Sequence, residues 1–144
     1  MTSTLSDLQA AAIRDSFARQ GLMTTLRAEL TELAHGHCVI AAPILPLAQQ
    51  QNGFGHAGLS FSVGDSAAGY AAMSVMPDGY EVLSIEVKIN LLASAKGDRL
   101  IATGRVARAG RRIVVVQADI CAESDGETKL IAILQGTMMP VPPA

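Results

Sequence analysis

The chain has 144 residues, 49% of them apolar and 17% charged, with a formal net charge of −2. That length suits one ordinary domain, and that balance suits a packed core rather than a disordered chain. With no basic surplus, no Trp and only 3% aromatic residues, little remains for a nucleic-acid groove or a base-stacking platform.

Residues 1–5 and 140–144 read as loose ends of a single domain spanning 1–144, with an N-terminal helix inside 1–20. Asp7, Arg14, Asp15 and Arg19 interrupt any apolar run that could serve as a signal peptide. Ser6 followed by Gln9 fits a capping box, and Leu8, Ala11 and Ala12 with Asp15 and Arg19 give an amphipathic helix to about Gln20, with Gly21 as its stop. The pattern over 22–33 is strand-like. Gly36 is a turn residue, and a second strand over 38–44 ends at Pro43 and Pro46.

A polar, glycine-bearing loop at 49–55 leads into a helix over 57–76, stopped by Pro77, Asp78 and Gly79. At about 1.5 Å per residue that helix could cross a bilayer. Asp65, four serines and three glycines within it indicate a buried helix of a soluble protein instead. The period then changes to two: Leu83, Ile85, Val87, Ile89 and Leu91 are expected on one face, and Ser84, Glu86, Lys88 and Asn90 on the other. Three more strands follow, over 100–108, 112–122 and 130–139. Glycine-bearing turns separate them, so successive strands are expected to pair antiparallel. A sheet with one apolar face needs a cover, and the long helix is the element available. The expected class is α+β, with an antiparallel sheet curled around a long central helix.

Gly58, Ser62, Asp65, Gly69, Ala72 and Met76 fall on one helical face, a stripe of small residues around one carboxylate. A carboxylate among Phe61, Val63, Ala67, Ala68 and Tyr70 is costly to bury unless it is paired or used. It is either satisfied by backbone and serine groups or it does chemistry. His56, Ala57 and Gly58 open the helix, where free N–H groups and the positive dipole end favour developing negative charge. Asp65 lies two turns away, too far to serve a carbonyl bound at that end of its own helix. It could do so if the site lies between two subunits.

The run Gln-Gln-Asn-Gly-Phe-Gly-His-Ala-Gly at 50–58, then Asp65 and Ala-Gly-Tyr-Ala-Ala at 68–72, resembles the PaaI-like acyl-CoA thioesterases of the hotdog fold. Lys-Ile-Asn-Leu-Leu-Ala-Ser-Ala at 88–95, Gly97 with Asp98, and Arg-Ala-Gly-Arg-Arg at 108–112 extend the resemblance over about 21–139. It implies a homodimer, commonly a dimer of dimers, with two sites at the subunit interface. It also implies that Asp65 is the general base or nucleophile, and that the Ala57 N–H polarises the thioester carbonyl. Gln50 would place substrate or water, Ser84 would orient the water, and His56 would hold a motif position. The substrate would be an acyl-CoA, with no further cofactor and no metal, nucleic acid or membrane partner.

Arg108, Arg111 and Arg112 around Gly110 offer guanidinium groups of the geometry that phosphates need. They could equally form a solvated basic turn. Lys96 is a further cation, and Asn90 and Gly58 are candidates for the substrate groove. Phe54, Phe61 and Tyr70 are the aromatic side chains available for an apolar or aryl acyl group. Cys38 and Cys121 lack metal or disulfide spacing and read as reduced thiols of a cytoplasmic protein. His35 and His37 flank Gly36 without further ligands nearby. The alternatives are a non-catalytic acyl-ligand-binding hotdog protein, a cone-shaped α+β isomerase using Asp as base, and a hydratase on the hotdog fold.

Overall fold

Helix α1 (Asp7–Ala18) starts where Ser6 accepts the Gln9 N–H at 3.1 Å. Only this half of the capping box forms. The Gln9 side chain instead donates to the Met76 and Met73 carbonyls at 2.8 and 3.3 Å, tying α1 to residues at the end of the central helix. The computed structural model describes residues 4–144, so the expected looseness of Met1 to Ser3 lies outside the described residues.

Gly21 does not simply stop a helix; it opens a second one, α2 (Gly21–Thr25). The strand-like reading of 22–33 is corrected here. Met23 and Leu26 are both buried, an inward spacing of three that suits a helical turn. Arg27, at φ +52°, ends the turn before β1 (Glu29–Ala34) begins. Strand β2 (His37–Pro43) follows, then a 3₁₀ turn (Pro46–Ala48), the central helix α3 (Ala57–Met73), and strands β3 (Glu81–Leu91), β4 (Arg99–Ala109), β5 (Val114–Ser124) and β6 (Glu127–Val141). Strand β6 runs two residues into the expected loose tail, with Val141 opposite Glu81.

The six strands form one antiparallel sheet in the order β1-β2-β4-β5-β6-β3. The expected β3–β4 hairpin does not exist. Strand β3 pairs with β6 and forms the edge opposite β1, and the chain then crosses the end of the sheet to reach β4. On that path the Leu92 N–H donates to Ile131 O at 2.8 Å, the Asp98 N–H to Glu123 O at 2.7 Å, and Asp98 O accepts the Ile44 N–H at 3.0 Å. Gly97 makes the crossing possible: its φ is +148°, and a Cβ there would lie 2.4 Å from Glu123 O.

Helix α3 lies in the curl of the sheet. Val63, Ala67, Ala68, Ala71 and Ala72 on it are fully buried, against Ile40, Leu100, Ala102, Val116, Ile120, Leu134 and Met138 from the strands. The small helix residues let the sheet come close. At Gly104 of β4 a Cβ would lie 2.3 Å from Ala67 O, so the two backbones nearly touch. This sheet around one long helix is the hotdog fold.

Candidate functional site

The first cleft lies at the start of α3. The preceding loop is docked by the Gly55 N–H on Ala95 O and the His56 N–H on Ala48 O, both at 2.8 Å. His56 is the N-cap residue, with extended backbone (φ −63°, ψ 145°). Its Nδ1 accepts the Gly58 N–H at 2.7 Å and its carbonyl accepts the Leu59 N–H at 2.9 Å. A Cβ on residue 58 would lie 2.9 Å from that Nδ1, so glycine leaves room for the cap.

With Gly58 and Leu59 satisfied, the Ala57 N–H has no acceptor among the described residues and stands free at the positive end of the helix. The Gln50 Oε1 accepts the Asn52 N–H and its backbone closes the loop onto Phe54 and Gly53. Its Nε2 remains as a donor without an acceptor among the described residues. Gln50, Phe54, His56, Ala57, Leu91 and Ser94 border a cleft of about 350 Å³.

The second cleft holds Asp65. This carboxylate is half-buried rather than buried: its neighbours Val63, Ala67 and Ala68 turn into the core while Asp65 faces the opening. Ser84 donates its hydroxyl to Asp65 Oδ1 at 2.8 Å. The even alternation expected for β3 would have turned Ser84 away from the helix. A bulge at Ile85 breaks that alternation: Ser84 pairs with the buried Met138, and the next pair is Glu86 with Thr137. Ser84 therefore shares the helix side with Val82 and Val87, while Leu83 and Ile85 are 55% and 54% exposed. Residues after the bulge keep period two, so Lys88 and Asn90 point outward. Asn90 lines an outer-face cleft with Lys88, Arg105 and Asp119, apart from both Asp65 and Ala57.

Further along α3, Gln20 Nε2 donates to Tyr70 Oη at 2.7 Å, Ser16 Oγ lies 3.1 Å from the same oxygen, and Ser66 Oγ donates to Gln20 Oε1 at 3.3 Å. Burial pushes the Tyr70 phenol up; the Ser16 and Gln20 bonds partly offset this, and the Glu81 charge adds to it. These groups border the Asp65 cleft, a volume of about 240 Å³. Sequence reasoning missed Ser16 and Gln20. Their signal was the helical spacing of residues 13, 16, 17 and 20, an inward face with two polar members. Of the aromatics, Tyr70 borders the Asp65 cleft, Phe54 the helix-start cleft, and Phe61 is 38% exposed.

Within one chain the two clefts are separate. Eight residues of helix set Asp65 about 12 Å along the axis from Ala57. Strand β3 runs in the opposite direction, with Ser84 at the Asp65 cleft and Leu91 at the helix-start cleft. The β4–β5 hairpin belongs to the Asp65 end, because Ala109 pairs with Val114, Val114 with Met138, and Met138 with Ser84. Arg108, Arg111 and Arg112 there are exposed, and none pairs with a carboxylate among the described residues. The Gly110 N–H closes the turn on Ile113 O at 2.9 Å. His37 contacts Glu32 at 3.2 Å and His35 is exposed. No helix among the described residues is long and apolar enough to cross a membrane.

The family model described as the thioesterase superfamily matches residues 52–129, more than half of the chain. A 1,4-dihydroxy-2-naphthoyl-CoA hydrolase of Listeria monocytogenes is 29% identical over 119 residues, 82% of this chain and 94% of that protein. The crystal structure of a thioesterase family protein from Silicibacter pomeroyi is 40% identical, with a TM-score of 0.91 over 93% of this chain and 98% of that one. The E. coli PaaI protein, from the phenylacetic acid degradation operon, is 20% identical and has a TM-score of 0.84 over 97% of this chain and 98% of its own, a likeness of fold.

Proposed function

The chain belongs to the thioesterase superfamily, whose reaction is hydrolysis of acyl thioesters, and on that premise we propose that it cleaves an acyl-CoA to the free acid and CoA at a site shared by two copies. Asp65 of one protomer either takes a proton from the water that attacks the carbonyl carbon or attacks that carbon itself, in which case water then cleaves the anhydride; in both routes CoA leaves as the thiol. The partner's Ala57 N–H polarises the carbonyl oxygen. Ser84 orients the Asp65 carboxylate, Gln50 offers its amide to substrate or water, and His56 with Gly58 holds the helix start in shape.

One observation carries this reading: the carboxylate and the free N–H sit in separate clefts at opposite ends of β3, one of the two edge strands of the sheet. That edge exposes Leu83, Ile85 and Leu91, which a second copy would cover. Antiparallel pairing of β3 with its own copy brings the Ser84 end of one strand beside the Leu91 end of the other. Each Asp65 then faces the helix start of the partner. The resemblance extends the assembly to a dimer of dimers.

Arg108, Arg111 and Arg112 offer their guanidinium groups to the CoA phosphates, with Gly110 shaping the turn. CoA is part of the substrate, and the reaction as written needs no further cofactor. Cys38 and Cys121 are free thiols, which suits a reducing, cytoplasmic setting.

Thiol release from short aliphatic, medium-chain and phenylacetyl-CoA, with the wild type and Asp65→Asn side by side, tests the reaction. Release by the wild type that disappears in the variant is the expected result. Tight binding of CoA esters without thiol release, by a folded wild type, would replace hydrolysis with ligand binding.

A further inference from the structure

We infer that Gln20, at the elbow between α1 and α2, is a specificity-determining residue that selects acyl groups carrying a neutral hydrogen-bonding substituent. The inference rests on Asp65 being the reacting carboxylate, since it concerns the space next to it.

The matched family region begins at residue 52, so α1 and α2 lie outside it, yet their elbow forms one wall of the Asp65 cleft. Gln20 is held there from both ends of its carboxamide, by Tyr70 Oη at 2.7 Å and Ser66 Oγ at 3.3 Å. Ser66 follows Asp65 directly on α3, so the elbow is tied beside the reacting group. The second hydrogen of Gln20 Nε2 has no acceptor among the described residues. Ser16 adds a hydroxyl 3.1 Å from Tyr70 Oη.

An alkyl chain pressed into this space would leave the second Gln20 Nε2 hydrogen without water or acceptor, whereas a hydroxyl or carbonyl oxygen on the acyl chain would accept it. Among the described residues no Lys or Arg borders the cleft, and Glu81 does. Asp65 and Glu81 are both carboxylates of this cleft, so an acyl group bearing a third would meet repulsion. The selected class is therefore polar but uncharged.

The test compares kcat/KM for butyryl-CoA, 3-hydroxybutyryl-CoA and succinyl-CoA, with the wild type, Gln20→Met and Ser16→Ala. The wild type is expected to favour the hydroxylated ester over butyryl-CoA by about tenfold or more and to handle succinyl-CoA worst. Gln20→Met is expected to erase most of that ratio, and Ser16→Ala to reduce it less. A purely structural role would lower both neutral esters in proportion and leave the ratio unchanged. An unchanged ratio in either variant, or a wild type that prefers butyryl-CoA or succinyl-CoA, overturns the inference while leaving the hydrolase reading intact. A wild type that cleaves none of the three esters or the broader panel overturns both.

Discussion

The Ser84 hydroxyl donates to Asp65 Oδ1 across 2.8 Å, joining the edge strand to the central helix at the one carboxylate of that helix. The bond exists because Ile85 bulges and turns Ser84 toward α3. A serine on the solvent side of β3 could not hold the carboxylate in one orientation.

Replacing Ser84 with Ala should therefore lower kcat about tenfold while KM changes little. A lost hydrogen bond to a charged group is worth about 1.5 kcal/mol, near a factor of ten in rate. Steady-state kinetics on the best acyl-CoA checks this. A rise in KM at constant kcat would mean that Ser84 holds substrate rather than the carboxylate.

Ala57 allows a change that removes one hydrogen and little else. It is the first residue of α3, where proline is tolerated, and His56 before it already has the extended backbone that a following proline requires. Ala57→Pro should keep the melting temperature within a few degrees and lower kcat by about 10²–10³, the usual cost of one oxyanion donor. Ala57→Gly keeps the N–H and should keep the rate. Equal rates for Pro and Gly would remove the Ala57 N–H from the mechanism.

Much of this was legible in the sequence. The motif at 50–58 marked the start of the central helix and the lone Asp65 its middle, and the strand periods marked most of the sheet. The side on which Ser84 sits was not, because a one-residue bulge leaves no trace in a period-two pattern until the pairing with Met138 is known. The partner of β3 was hidden for a similar reason. The turn-like segment around Gly97 reads as a hairpin, but its N–H and C=O groups bond to Glu123, Ile131 and Ile44 across the sheet end. Gln20 was overlooked because a glutamine beside a glycine reads as a helix end. Its importance comes from Tyr70 and Ser66, about fifty residues away in the chain.

The packing of β4 on α3 predicts a sensitive glycine. Gly104→Ala would drive a methyl group into the Ala67 carbonyl, where backbone on both sides leaves nothing to yield easily. A loss of about 1–3 kcal/mol is expected from such overpacking, a drop of several degrees in thermal midpoint. An unchanged midpoint would mean that the sheet and helix separate at no cost.

Burial pushes the Cys38 thiol up to about 12, with nearby Arg14 opposing the shift. The folded state thus favours the neutral thiol more than the unfolded state does. The stability this contributes is present below pH 9 and is lost as pH rises toward 12; Tyr70, also pushed up, adds to the loss above pH 10. Denaturation midpoints from pH 8 to 11 should fall, and alkylation of the folded protein at pH 8, read by mass, should spare Cys38. Rapid modification of Cys38 without unfolding would contradict its burial.

Asp65 of one chain and Ala57 of its partner are proposed to form one site, and mixing two crippled variants tests this. Asp65→Asn and Ala57→Pro chains, unfolded and refolded together, form mixed dimers in which one of the two sites keeps both native groups. Acyl-CoA hydrolysis, lowered by about 10²-fold or more in each variant alone, should return in the mixture to about one quarter of the wild-type rate, since half the dimers are mixed and each has one intact site. Activity that stays at the level of the separate variants in folded, mixed dimers would contradict the shared site, because a site contained within one chain cannot be restored this way.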